Sequence, residues 1–216
     1  MQILECLLEE KLIAIVRGVP PRQILPTARA IADGGIHALE ITFDHKTPGG
    51  IAETLESIRL LRGQEDLDIL LGAGTVLTPG EVDQAVEAGA EYIISPDTNP
   101  EVIRRTKQLG KISIPGAYTP TEAVQAHRAG ADLVKLFPAG LLGPAYIKAI
   151  CGPLGFIRFT AVGNIGENNI SDFLKAGVQG FGIGGSLVDL KAIADGTYTG
   201  ITETARKLVR AVQQAQ

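Results

Sequence analysis

A short, apolar, β-rich run recurs eight times along this chain, at intervals of roughly two dozen residues. The runs are LIAIVRG from Leu12, ALEITF from Ala38, ILLGAGTV from Ile69 and YIISP from Tyr92, then KISIPG from Lys111, LVKLFP from Leu133, IRFTAVG from Ile157 and GFGIGG from Gly180. Most lack polar alternation, which is the pattern of parallel strands covered on both faces. Between them lie segments with apolar residues at helical spacing, among them EVDQAVEAGA, PEVIRRTKQLG and EAVQAHRAG. Gly34, Gly89, Gly110, Gly130 and Gly177 each stand shortly before a strand. A glycine there takes the left-handed cap of the preceding helix at little cost. TPGE at Thr78, TPTE at Thr119 and NPE at Asn99 read as helix starts, with a capping side chain, a proline and an acidic first turn. Eight such units predict a single-domain (β/α)8 TIM barrel over residues 1–216, with an open doubly wound sheet as the alternative. ILECLLEEK is expected to form a short helix across the barrel floor, and ITETARKLVRAVQQA a C-terminal helix.

Composition narrows the function classes. The chain has 216 residues, 45% of them hydrophobic, enough for a large core without disulfides. Its 20 Lys and Arg against 24 Asp and Glu give a net charge of −4. That speaks against a nucleic-acid partner, which asks for a basic stripe. The longest uncharged stretch, LFPAGLLGPAYI, is broken by Gly and Pro, so no membrane span is expected. The start, MQILECLLEEKL, carries Glu where a signal peptide carries Lys or Arg. Cys6 and Cys151 lie far apart and outside any CxxC pair, which fits a reducing cytoplasm.

A barrel holds its active site at the carboxyl ends of its strands. There the sequence places Arg17; Glu40, Thr42 and Asp44 on one face by the period of two; Thr75; Ser95 and Pro96; Pro115 and Gly116. The later strands add Lys135 and Phe137; Val162, Gly163 and Asn164; and Gly184, Gly185 and Ser186. Lys135 lies between Val134 and Leu136 in a run that otherwise reads as buried. Desolvation lowers a lysine pKa, and the neutral amine attacks ketones to form a Schiff base. A lysine snorkelling to the rim is the competing reading. Glu40 lies in an equally apolar run, and a carboxylate beside an amine can move the protons of that chemistry. A purely structural ion pair competes, although such pairs seldom repay their desolvation. VGNIGENN and GIGGS are glycine-rich strand ends, suited to cradle a phosphate on backbone N–H groups. Arg17 and Thr75 can hold a second anion such as a carboxylate. Asp44 and His45 offer half a metal site, but no second ligand pair has matching spacing, so no metal and no cofactor are expected. His37 falls at the barrel bottom, His127 on a solvated helix face, and both cysteines read as packing residues.

In order and spacing, LEITF, GAGTV, ISP, IPG, VKLFPA and GIGGS resemble the 2-keto-3-deoxy-6-phosphogluconate / 4-hydroxy-2-oxoglutarate aldolases along nearly the whole chain. The resemblance implies a metal-free class I aldolase, a homotrimer acting on a small 2-keto acid. It implies Lys135 as the Schiff-base lysine, Glu40 as general acid and base, and Thr75 as holder of the pyruvate carboxylate, with Arg17, Pro96 and Phe137 in the pocket. It implies Gly163, Gly184, Gly185 and Ser186 as the phosphate site, which Asn164 is expected to join through its backbone N–H. Two departures stand out. Asp44 replaces an arginine usual four residues after the glutamate, and AVGN replaces PTGG, so Val162 removes a hydroxyl and Asn164 a glycine. Val162, IVRG and FPAGLLGPAYIKAI are similar to the 2-keto-3-deoxy-6-phosphogalactonate branch. Two other functions stay open on the residues: a metal-assisted phosphosugar isomerase or epimerase using Asp44 and His45, and a non-catalytic barrel that binds 2-oxo acids.

Overall fold

A computed structural model describes residues 3–215. Its strands are β1 (Leu12–Val16), β2 (Ala38–Thr42), β3 (Leu70–Gly74), β4 (Tyr92–Ile94), β5 (Ile112–Ile114), β6 (Gly116–Ala117), β7 (Val134–Leu136), β8 (Phe159–Val162) and β9 (Gly180–Ile183). All pair in parallel, in the order β5-β4-β3-β2-β1-β9-β8-β7-β6. β5 and β6 are two halves of one predicted run, split at Pro115, which has no N–H to give to a ladder. β5 pairs with β4 and β6 with β7, and Lys135 N–H donates to the Pro115 carbonyl at 2.9 Å. The split strand therefore touches both neighbours and closes the barrel, which excludes the open-sheet alternative.

The helices are α1 (Ile3–Glu10), α2 (Pro21–Ala32), α3 (Gly50–Arg62), α4 (Pro79–Ala88), α5 (Pro100–Gln108), α6 (Pro120–Ala129), α7 (Ala139–Cys151), α8 (Ile170–Ala176), α9 (Leu190–Ala194) and α10 (Thr199–Gln214). Their starts follow the sequence. Thr78 and Thr119 form capping boxes with Glu81 and Glu122, and Asn99 caps α5. Gly89, Gly110, Gly130 and Gly177 have the expected positive φ, but Gly34 does not. After α2 it is Gly35 that turns left-handed, at φ 89°. Gly34 is needed for space instead, because a Cβ there would collide with Ala205 of α10.

Two apolar layers result from the strand alternation. Residues such as Leu39, Ile41, Leu71, Ile93, Leu136 and Phe181 face the helices. Inside the barrel, Leu7 of α1 packs with Ile13, Ala38, Tyr92, Ile94, Ile114 and Leu133. α1 thus seals the floor, and the polar chemistry is confined to the upper half. Among the described residues no helix is long and apolar enough to cross a membrane.

Candidate active site

Inward-facing positions above that floor carry the unusual residues. Lys135, on β7, is 6% exposed and lines a cavity of about 600 Å³ at the carboxyl ends of the strands. Its Nζ lies 5.1 Å from the centre of the Phe137 ring. Burial pushes the amine below the ordinary lysine range; Glu40 opposes that shift and Arg17 adds to it. Glu40, on β2, is 1% exposed and does not line the cavity. Register places it level with Ile15, Gly72 and Tyr92, and its carboxylate rises across Gly74, where a Cβ would overlap Oε1 and Cδ. Burial pushes this carboxyl up, while Lys135, Arg17 and the Thr42 hydroxyl pull it down. Thr42 lies near enough to favour the charged form but not in hydrogen-bonding geometry, since its Oγ1 and Glu40 Oε1 both lack a partner. The site thus holds a lysine pushed toward its neutral form and a carboxyl pushed toward its protonated form, each close enough to act on the other's charge.

Ten further candidates converge on the same cavity, whereas Thr42, Ser95, Pro115 and Gly116 do not line it. Arg17, Thr75, Pro96, Phe137 and Val162 line one part of it. Gly163, Asn164, Gly184, Gly185 and Ser186 line another. Arg17 donates to Thr75 Oγ1 at 3.3 Å, so the two residues read as a second anion site do meet. Thr75 and Asn164 are both left-handed, at φ 56° and 55°. Asn tolerates this region, but a β-branched threonine there is an outlier of the kind that collects at functional sites. The backbone N–H groups of Asn164, Gly185 and Ser186 bond to no acceptor among the described residues and sit at the cavity wall.

Residues 3–204 match the family model for KDPG and KHG aldolase. The chain belongs to this aldolase family. Over 181 residues it is 38% identical to the probable 2-dehydro-3-deoxy-6-phosphogalactonate aldolase of Rhizobium meliloti strain 1021, covering 83% of this chain and 82% of that protein. Over 212 residues it is 36% identical to the 2-dehydro-3-deoxy-phosphogluconate aldolase of Treponema pallidum strain Nichols, covering 97% of each. It also superposes with TM-score 0.81, at 31% identity, on the crystal structure of the Legionella pneumophila KDPG aldolase with pyruvate captured as a covalent carbinolamine; 92% of this chain and 93% of that one are covered.

In this aldolase Asp44 and His45 do not form half a metal site. The Asp44 carboxylate turns back to accept from the N–H groups of Lys46 at 2.8 Å and Thr47 at 3.3 Å; the Thr47 hydroxyl first, and then these N–H groups, hold it below the usual carboxylate range. His45 Nε2 is 2.8 Å from the Thr75 carbonyl. Among the described residues no group of three or more His, Cys, Asp or Glu could hold a metal ion. Asp44 also leaves the inward face that period-two counting assigned it, because β2 ends at Thr42 and the chain turns outward. Sequence reading missed four lining residues in the loop after β8: Ile165, Gly166, Asn168 and Asn169. Asn169 holds that loop, donating to the Asn164 carbonyl and accepting from Gly166 N–H, each at 3.0 Å. They lie inside the VGNIGENN stretch read as a phosphate cradle, but nothing in it singled them out individually. Ile15 and Gly182 were missed because each sits one inward position below the strand end.

Proposed function

We propose that this family member is a Schiff-base aldehyde-lyase. It cleaves a 2-keto-3-deoxy-6-phospho sugar acid to pyruvate and an aldehyde such as glyceraldehyde 3-phosphate. One observation carries the reading: a buried lysine, shifted toward its neutral amine, opens into a cavity, and a buried carboxyl below the lining acts on its charge. The amine of Lys135 attacks C2 of the keto acid, and loss of water gives an iminium. Glu40, directly or through a water, removes the C4 hydroxyl proton. The C3–C4 bond then breaks, its electron pair neutralises the iminium as an enamine, and the aldehyde departs. C3 takes a proton back, and water hydrolyses the iminium to pyruvate and free Lys135.

Arg17 and Thr75 hold the substrate carboxylate, while Pro96, Phe137 and Val162 shape the middle of the cavity. The free N–H groups at Asn164, Gly185 and Ser186, with Gly163 and Gly184 leaving room for them, receive the phosphate. Exposed Tyr118, Leu141 and Phe156, on or beside α6 and α7, supply apolar surface for the other copies of a homotrimer. Two free cysteines suit a cytoplasmic setting. The test is borohydride reduction in the presence of pyruvate, read by intact-protein and peptide mass. One reduced pyruvate on the Lys135 peptide is expected; no adduct, or one elsewhere, refutes the reading. A screen of aldehyde acceptors then identifies the product.

A further inference from the structure

His45 follows Asp44 on the loop after β2, outside the cavity lining. Its Nε2 is 2.8 Å from the carbonyl oxygen of Thr75. A carbonyl only accepts, so Nε2 carries the proton and donates. The other ring nitrogen faces Glu81 Oε1 at 3.8 Å. Glu81 is itself fixed, accepting from Leu77 N–H at 2.6 Å and Thr78 N–H at 3.3 Å as part of the α4 capping box. The imidazole therefore spans from the loop after β2 to the start of α4, and its short bond ends on the threonine that lines the cavity.

Thr75 has need of such a bond. Its φ of 56° is disfavoured for a β-branched side chain and persists only where the surroundings over-determine it. On one side, Phe43 N–H donates to the Gly74 carbonyl at 2.8 Å; on the other, Val76 N–H donates to the Ile94 carbonyl at 3.3 Å. The His45 bond is the third anchor: it takes the carbonyl of the Thr75–Val76 peptide, whose N–H is held only by the longer bond to Ile94. With that peptide held, Thr75 Oγ1 meets Arg17 at 3.3 Å. We infer that His45 is a positioning residue: it holds Thr75 left-handed so that Thr75 and Arg17 together receive the carboxylate of the 2-oxo acid. This rests on the aldolase reading above and adds to it a residue that touches no substrate.

The test compares wild type, His45→Ala and His45→Gln, whose side-chain amide keeps an N–H donor. The readouts are the half-saturating pyruvate concentration for borohydride trapping at Lys135, and kcat and KM for pyruvate in aldol addition. In His45→Ala, half-saturation and KM should rise about five- to tenfold, the value of one neutral hydrogen bond. Its kcat should stay within about twofold of wild type, because the reacting groups are untouched, and His45→Gln should recover most of the affinity. Unchanged half-saturation in His45→Ala, a kcat loss as large as the affinity loss, or a Gln variant as weak as Ala would each overturn the inference while leaving the Lys135 reading intact. Absence of trapping in wild type would bring down the aldolase reading, and the role of His45 with it.

Discussion

Gly74 is where the barrel makes room for its carboxylate, and Gly74→Ala isolates that requirement. An added Cβ would coincide with the Oε1 and Cδ of Glu40, a residue that is 1% exposed. The carboxylate must then leave its rotamer or β2 and β3 must part. Overpacking of this kind costs about 1–3 kcal/mol. For a chain of this size that is a fall in Tm of roughly 2–12 °C. The effect on turnover should be larger than the effect on stability, because a displaced general acid and base forfeits on the order of 10²–10⁴ in rate. Cleavage is followed by coupling pyruvate release to lactate dehydrogenase, and unfolding by a thermal melt. Gly80→Ala is the control. It lies in α4, and a Cβ would meet nothing nearer than Thr78 Oγ1 at 4.0 Å, so it should stabilise by about 0.5–1 kcal/mol and leave kcat alone. If Gly74→Ala kept kcat within about threefold of wild type, the assignment of Glu40 to proton transfer would fail.

Lys135→Arg should fold normally and lose both turnover and pyruvate trapping, because a guanidinium stays protonated; residual trapping at any other lysine would show that the nucleophile lies elsewhere. Glu40→Gln should melt above wild type at about pH 8. The folded-state pKa of Glu40 is raised, so its contribution to stability is complete below the ordinary value of 4.5 and is lost as pH rises through the raised value. Gln has nothing to lose there, so the gap should close as pH falls toward 4.5, and a gap that widens instead would contradict the direction of the shift. Val162 offers no hydrogen bond to the C4 region, so kcat/KM for the phosphogalactonate-type substrate should equal or exceed that for the phosphogluconate type. A gluconate preference above about tenfold, roughly 1.4 kcal/mol, would refute that.

Most of the barrel was legible because its signals are local. Each apolar run, each Thr-Pro-x-Glu start and each capping glycine acts within a few residues, so Thr78, Thr119 and Gly130 could be read without knowing the fold. Lys135 and Glu40 were legible for the opposite reason: a charge in an apolar strand has no local explanation. What escaped depends on neighbours far along the chain. Gly34 is shaped by Ala205, and Gly74 by Glu40 of the adjacent strand. Asp44 looked inward by counting, yet the strand stops two residues earlier and its own loop takes the carboxylate. The loop after β8 has no strand periodicity, so nothing in its order of residues marks Asn168 as facing the cavity while Glu167 does not.

The sealed floor has a kinetic consequence. With Leu7 of α1 packed into the base of the barrel, the cavity is a blind well with one mouth. If Lys135 is the Schiff-base lysine, pyruvate is tethered inside that well while the aldehyde is free to move. On the proposed mechanism the covalent bond to Lys135 already makes the aldehyde leave first in cleavage and arrive second in synthesis; the plug adds that both fragments share the one exit at the strand ends.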